Sequence, residues 1–209
     1  MTNAQPLLVL GTHNRKKGGE LVELLAPLGI EVRTLADFPQ AIEVVEDGAS
    51  FAENSGKKAA EQAQHLGQWV LGEDSGLVVD ALDGRPGIYS ARYAGEHASD
   101  EENNQLLLEE LAGVSAQGRT AHYVSHIAVA DPSGTIRLEA TGRFDGRIAE
   151  HPAGSAGFGY DPLFVVPEYH RTVGQLGAAI KSVISHRARA YRQLLPQLAQ
   201  LTRGGDWRT

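Results

Sequence analysis

PLLVLGTHNRKKGGELVELLAPLGIEVRTL, residues 6–35, is the stretch from which a fold class can be argued. Residues 6–11 form a short run of Leu and Val that stops at Gly11-Thr12, the pattern of a buried strand feeding a loop. A helix is expected next, because residues 20–28 space Leu21, Leu24 and Leu25 on one face. Gly18 and Gly19 weaken its first turn by up to about 1 kcal/mol each relative to Ala. Residues 30–35 read as a second strand, and strand, helix, strand is the opening of an α/β fold.

Working outward, Ser50-Phe51-Ala52-Glu53 has the form of a capping box, and the Ala-rich segment to about Leu66 should be helical. Residues 68–71 return as a strand that is expected to end at Gly72-Glu73-Asp74-Ser75-Gly76, after which residues 77–82 are apolar enough to rejoin the sheet. Residues 83–95 read as loop, punctuated by Asp83-Gly84 and Pro86-Gly87. A second capping box, Ser99 to Glu102, opens a helix that carries Leu106, Leu107, Leu108 and Leu111. Residues 120–141 give two strands around Asp131-Pro132-Ser133-Gly134, an antiparallel hairpin. A glycine-rich loop, residues 153–161, follows. The last periodic segment, from about Ser182, puts Tyr191, Leu194, Leu195 and Leu198 on one face, with Pro196 expected to kink or interrupt it. The mixed order of elements points to α/β with a mixed sheet, folded as a single unit. No internal repeat or low-complexity linker is visible.

Composition narrows the function classes. With 209 residues, 42% hydrophobic and 22% charged, the chain can bury a sizeable core. A formal net charge of -7 and a pI of about 5.6 give no overall positive field, so a nucleic-acid partner is not expected. A small anionic ligand remains compatible, because local basic side chains, backbone N–H groups or a metal can overcome a diffuse negative surface. The absence of cysteine removes disulfides, thiolate metal sites and a cysteine nucleophile. The first residues place a basic cluster after a short apolar run, the wrong order for a secretory signal, and no run approaches a membrane span. A cytoplasmic location is the expectation.

Four groups of residues could carry chemistry. Thr12-His13-Asn14-Arg15-Lys16-Lys17 sits where a strand gives way to a helix; backbone N–H groups, a hydroxyl, a carboxamide and an ammonium there suit phosphate oxygens, though the Walker A spacing is absent. Its plain alternative is a solvated polar turn. Glu46-Asp47, Lys58 and Glu73-Asp74 offer carboxylate oxygens to a hard cation such as magnesium and a base to orient water, as phosphoryl transfer requires. The alternative is a solvated acidic turn, against which Gly72 and Gly76 argue, since small residues admit a ligand. Phe158 and Tyr160 alternate with glycines beside Asp161 and could present a flat face to a purine, or belong to the core. Lys181 with Ser185-His186-Arg187 could bind a base carbonyl or phosphate, or form a solvated helical face. The remaining histidines, including His65, His122 and His170, show no metal-ligand spacing.

Taken in order, these segments resemble the inosine triphosphate pyrophosphatase family, the noncanonical purine dNTP/XTP pyrophosphatases. The match rests on Thr12 to Lys17, Phe51-Ala52-Glu53-Asn54 with Lys58-Ala59, Glu73-Asp74-Ser75-Gly76-Leu77, Gly87-Ile88-Tyr89-Ser90-Ala91-Arg92-Tyr93, Gly157-Phe158-Gly159-Tyr160-Asp161-Pro162 and Ser185-His186-Arg187. The resemblance implies an elongated mixed β-sheet with two α/β lobes and a central substrate cleft, the whole chain forming one domain, usually in a homodimer. It implies that Thr12, Asn14, Lys17 and Lys58 bind the triphosphate, with Ser75 beside them. Glu46, Glu73 and Asp74 match acids around Mg2+, and Asp74 the general base for water. Phe158, Tyr160 and Asp161 would stack on and read the base, with Lys181, His186 and Arg187 around its carbonyl and the phosphates. The implied reaction converts inosine, deoxyinosine or xanthosine triphosphate to the monophosphate and pyrophosphate. A non-catalytic nucleotide sensor and a house-cleaning pyrophosphatase for other modified nucleotides are the rival readings. Three departures stand out: Gly18-Gly19 in the first helix, Glu73 where many members carry Asp, and Ile180 where an acid usually precedes the lysine.

Overall fold

A computed structural model describes residues 6–12, 15–204 and 207, with Arg15, Lys16, Lys17, Glu20 and Pro27 described by backbone alone. The opening is as expected: β1 (Leu7–Leu10), α1 (Arg15–Leu25) and β2 (Glu31–Thr34). The first helix begins ahead of residue 20, so Gly18 and Gly19 lie inside it. It closes through a short 3-10 turn, Ala26–Leu28, at left-handed Gly29. After α2 (Phe51–Leu66) the chain enters β3 (Trp69–Val79). Next come α3 (Asp100–Glu110), β4 (Thr120–Ala130) and β5 (Ile136–Ile148). The remainder is β6 (Phe164–Val166), β7 (Arg171–Thr172), α4 (Val173–Leu176), α5 (Ala178–Ile184) and α6 (His186–Arg203).

The strands form one seven-stranded sheet in the order β2-β1-β3-β4-β5-β6-β7. Strand β1 pairs in parallel with β2 and β3, while β6 pairs antiparallel with β5 and β7, so the sheet is mixed. Strands β4 and β5 are neighbours joined by a tight turn in which the Gly134 N–H reaches the Asp131 carbonyl at 2.8 Å. So short a connection imposes the antiparallel hairpin.

Two compact units emerge along the chain. The first comprises Met1–Asp74, His126–Thr141 and Ala190–Thr209. It buries apolar side chains on both faces of its sheet. Leu8, Leu10, Trp69, Leu71, Ile127 and Val129 pack with α1 and α6, and Val9, Val70, Ala128 and Ala130 pack with α2. The alternation of residues 69, 71 against 70 along β3, and 127, 129 against 128, 130 along β4, is the two-residue period of a strand. The second unit comprises Ser75–Ser125 and Gly142–Arg189. Its core joins Leu77 and Val79 of β3 to Leu107 and Leu111 of α3, Phe144, Tyr160, Leu163 and Phe164.

Two expectations need correcting. The strand expected to end at Gly72 runs unbroken through Gly72-Glu73-Asp74-Ser75-Gly76 to Val79. A Cβ on Gly72 would lie 2.2 Å from the Ser55 carbonyl oxygen and 2.7 Å from the Ala59 nitrogen, so this glycine lets helix α2 lie directly on the strand. Nor does Pro196 interrupt the last helix, which continues to Arg203. An internal proline costs about 3 kcal/mol. Tyr191, Leu194 and Leu198 are wholly buried around it, and each such side chain contributes about 1.5–3 kcal/mol, so core packing outweighs the lost backbone bond.

Candidate active site

Helix α2 begins where the sequence places it. Ser50 is its N-cap, with its hydroxyl accepting from the Glu53 N–H at 3.1 Å. The reciprocal arm of the box shifts by one residue, since the Glu53 carboxylate accepts from the Ala49 N–H at 2.8 Å. The preceding turn is tied to the helix, with Gly48 N–H donating to Asn54 Oδ1 at 2.8 Å.

This seating brings Asn54 and Lys58 over Asp74. Asn54 Nδ2 donates to one carboxylate oxygen of Asp74 at 3.3 Å and Lys58 Nζ approaches the other at 3.1 Å. Lys58 Nζ also lies 3.0 Å from Glu46 Oε2. Its side chain is 12% exposed and that of Asp74 9%. Burial works against the Lys58 charge, but the attraction of Asp74 and Glu46, with a smaller one from Glu73, outweighs it and holds the ammonium above its ordinary value. Lys58 is thus a fixed cation, not a proton donor near neutrality. Asp47 pairs with Lys57 on the exposed side of the same helix.

Because β3 is continuous, successive side chains point to opposite faces. Asp74 shares the face of Val70 and Gly72, beneath α2, whereas Glu73 shares that of Trp69 and Leu71. Among the described residues no three carboxylates or imidazoles come together as a metal-holding group. Magnesium is commonly held by one or two carboxylates, with water and phosphate oxygens completing its shell. Glu46 and Asp74, both on the same ammonium, have that chemistry, and the acids here outnumber the lysine.

One polar pair on this face was not singled out from sequence. Ser55, one residue after Asn54, has its hydroxyl 2.8 Å from His126 Nδ1 on β4. The same hydroxyl donates to the Ala52 carbonyl at 3.0 Å. The direction of the Ser55–His126 bond is set by the imidazole tautomer. His126 Nε2 lies 3.9 Å from Glu139. Nothing in the spacing of residues 55 and 126 announces this contact, which depends on α2 crossing β3 onto β4.

The second unit gathers the residues of the glycine-aromatic loop. Asp161 is 2% exposed; its Oδ2 accepts from the Phe158 N–H at 3.0 Å and pairs with Lys181 Nζ at 2.7 Å. Gly157 has φ 85°, and a Cβ there would fall 2.0 Å from Asp161 Oδ2, so the loop closes on the acid only with glycine at this position. Lys181 Nζ sits 4.0 Å from the Phe158 ring centroid, and the Arg187 guanidinium carbon 5.4 Å from it. Ser185 caps α6, accepting from the Ala188 N–H at 3.3 Å, which sets His186 and Arg187 in the helix's first turn. Arg187 donates to Ser75 Oγ at 2.9 Å, and His186 stacks on Tyr123 with ring centroids 4.7 Å apart. Ile180 in place of an acid therefore does not displace Lys181, which finds its carboxylate in Asp161.

Tyr160 is placed differently from its partner on the loop. It is packed in the core with its hydroxyl donating to the Ser90 carbonyl at 2.8 Å, whereas Phe158 is half-buried. Of the expected phosphate-binding turn, Thr12 is described, its N–H donating to the Leu10 carbonyl at 2.8 Å. Asn14 and the Lys17 side chain lie outside the described residues.

On this mixed α/β sheet, the first unit carries a buried carboxylate held between an amide and an ammonium, and the second unit carries cations around an aromatic ring. Residues 8–197 match the Ham1 family, and the chain belongs to it. It is 53% identical over 199 residues to a dITP/XTP pyrophosphatase of Rhodopirellula baltica, covering 95% of this chain and 96% of that one. A dITP/XTP pyrophosphatase of an Exiguobacterium species is 48% identical, covering 94% and 99%. Among solved structures, a HAM1 protein from Coxiella burnetii superimposes with a TM-score of 0.86 at 37% identity, covering 93% of this chain and 98% of that one. A nucleoside-triphosphatase, dITP/XTP pyrophosphatase, from Mycobacterium abscessus gives 0.75 at 42% identity, covering 92% and 99%.

Proposed function

We propose that this Ham1 protein hydrolyses noncanonical purine nucleoside triphosphates, those of inosine, deoxyinosine and xanthosine, to the monophosphate and pyrophosphate. The observation that carries the reaction is Asp74, buried with each carboxylate oxygen engaged by a different donor, Asn54 and Lys58. Asp74 accepts a proton from the attacking water at a carboxylate oxygen, and attack at the α-phosphorus lets pyrophosphate leave as one unit. Lys58, its proton firmly held, neutralises phosphate charge without giving up hydrogen. Thr12, Asn14 and Lys17 complete the phosphate contacts. Magnesium, when bound by Glu46 and Asp74, supplies further charge neutralisation on the phosphate oxygens. Glu73, on the other face of β3, is the least suited of the three acids to join it.

The base falls to the second set. Phe158 offers a ring for stacking, Lys181, His186 and Arg187 supply donors for a 6-oxo group, and Asp161 keeps Lys181 and the Phe158 backbone in place. Hypoxanthine and xanthine present O6 as acceptor and N1–H as donor where adenine has the reverse. A site built for the first pair leaves buried groups unmatched against adenine, at about 1–3 kcal/mol per mismatch. The relatives named dITP/XTP pyrophosphatase support the same substrates. A net charge of -7 is unsuited to a polynucleotide partner, and no helix among the described residues is long and apolar enough to cross a membrane. A cytoplasmic homodimer completes the proposal.

Purified protein with magnesium and a panel of nucleoside triphosphates, with pyrophosphate and orthophosphate measured separately, tests it. Inosine triphosphate should give inosine monophosphate and pyrophosphate far faster than adenosine triphosphate reacts. Orthophosphate with inosine diphosphate would overturn the reaction assignment.

A further inference from the structure

Helix α3 touches the glycine-aromatic loop at two points. Asp100, in its first turn, accepts from the Gly159 N–H through Oδ2 at 2.8 Å. Asn104, one turn on, donates from Nδ2 to the Gly159 carbonyl at 3.0 Å. Both polar groups of a single residue are therefore held by one helix face, since positions i and i+4 lie one above the other. Gly159 directly follows Phe158, whose own N–H is held by Asp161. The backbone on both sides of the Phe158 side chain is thus fixed.

The orientation of Asn104 has a single cause. Its Oδ1 is buried with no hydrogen-bond partner among the described residues. Turning the amide over would set oxygen against the Gly159 carbonyl, so the observed rotamer is selected by that carbonyl alone. Leucine there would remove the unmatched Oδ1 but would also take away the donor that the Gly159 carbonyl accepts from. The helix itself is rigidly started, with Ser99 and Glu102 forming a reciprocal capping box.

We infer that Asp100 and Asn104 are positioning residues for base recognition, clamping the Gly159 peptide so that Phe158 meets the purine in one pose beside Lys181 and Arg187. The inference rests on the proposed nucleotide reading of the same loop. It assigns to α3 a role in substrate selectivity although neither residue touches the base. Where stacking is equal in the ground and transition states it is uniform binding, and its loss then appears in KM and not in kcat.

The test uses the full-length protein with D100A, N104L, D100N and N104D, each checked for folding by thermal melting and near-ultraviolet circular dichroism. For D100A and N104L, KM for inosine triphosphate should rise about tenfold, the equivalent of one hydrogen bond, while kcat stays within about twofold. The preference for inosine over guanosine triphosphate in kcat/KM should fall as the ring loses its single pose. D100N retains an accepting oxygen and should behave as wild type. N104D sets a carboxylate against a carbonyl and should resemble N104L, which keeps the test sound if leucine proves disruptive. Unchanged KM in D100A and N104L, or equal loss in D100N and D100A, would overturn the clamp. Wild-type turnover of inosine triphosphate in the same series shows separately whether the nucleotide reading stands.

Discussion

Substituting Gly72 by alanine places a methyl carbon 2.2 Å from the Ser55 carbonyl oxygen and 2.7 Å from the Ala59 nitrogen, where ordinary contact begins near 3.4 Å. Both obstacles are backbone atoms of α2, so no side-chain rotation relieves them and the helix must retreat by roughly 1 Å in a close-packed interior. Overpacking of this kind costs about 1–3 kcal/mol, and backbone clashes belong at the upper end. At about 2–4 °C per kcal/mol for a chain of this size, Tm should fall by about 6–12 °C. The same displacement lifts Asn54 and Lys58 from Asp74, and a misplacement of about 1 Å can reduce turnover by about 10²-fold. Gly56, on the same helix, is the control, since an added Cβ meets nothing within 4 Å. Gly56→Ala should leave activity intact and raise stability by up to about 1 kcal/mol. Thermal melting followed by circular dichroism, with pyrophosphate release from inosine triphosphate, measures both. A Gly72→Ala protein with wild-type Tm and turnover would refute the seating of α2 on β3.

Asp74→Asn should lower turnover by about 10²–10⁴-fold while calorimetry still detects nucleotide binding; loss of folding instead would make Asp74 structural. Chelation with EDTA should abolish pyrophosphate release and added magnesium restore it, and undiminished turnover in chelator would remove the metal from the proposal. Burial holds the His126 imidazole below its ordinary value of 6.5, against the opposing pull of Glu139 and Asp74. Its stabilising contribution is therefore complete above that value and is lost as pH falls through the depressed one, so Tm should decline as pH is lowered below 6.5. His126→Asn keeps a donor for Ser55 without titrating and should decline less; equal slopes would show that His126 is not responsible.

Much of this organisation is legible in the amino-acid order because it is local. The opening strand, helix and strand, the caps at Ser50 and Ser99 and the Asp131-Gly134 turn depend on residues within a few positions of one another. The features that local sequence does not reveal depend on distant partners. Gly72 and Gly76 look like the end of a strand, yet Gly72 is where α2 presses on a strand that continues. Pro196 looks like a break, but the buried Tyr191, Leu194 and Leu198 hold the helix together. Tyr160 and Phe158 are alike in sequence, and only the core around Ser90 separates their surroundings. The Ser55–His126 bond and the hold of Asp100 and Asn104 on Gly159 join positions 71, 59 and 55 residues apart, with no periodic signal to mark them.

Trp69 and Trp207 stack with centroids 4.3 Å apart and planes 8° from parallel, and the chain contains no other tryptophan. Two indoles so close and so aligned exchange excitation, which should appear as a paired positive and negative band in circular dichroism near the indole absorption. All indole emission then originates in the first unit, and tyrosine alone reports on the second. Excitation selective for indole, set beside tyrosine signals in one melt, can show whether the two parts of this protein come undone together or in turn.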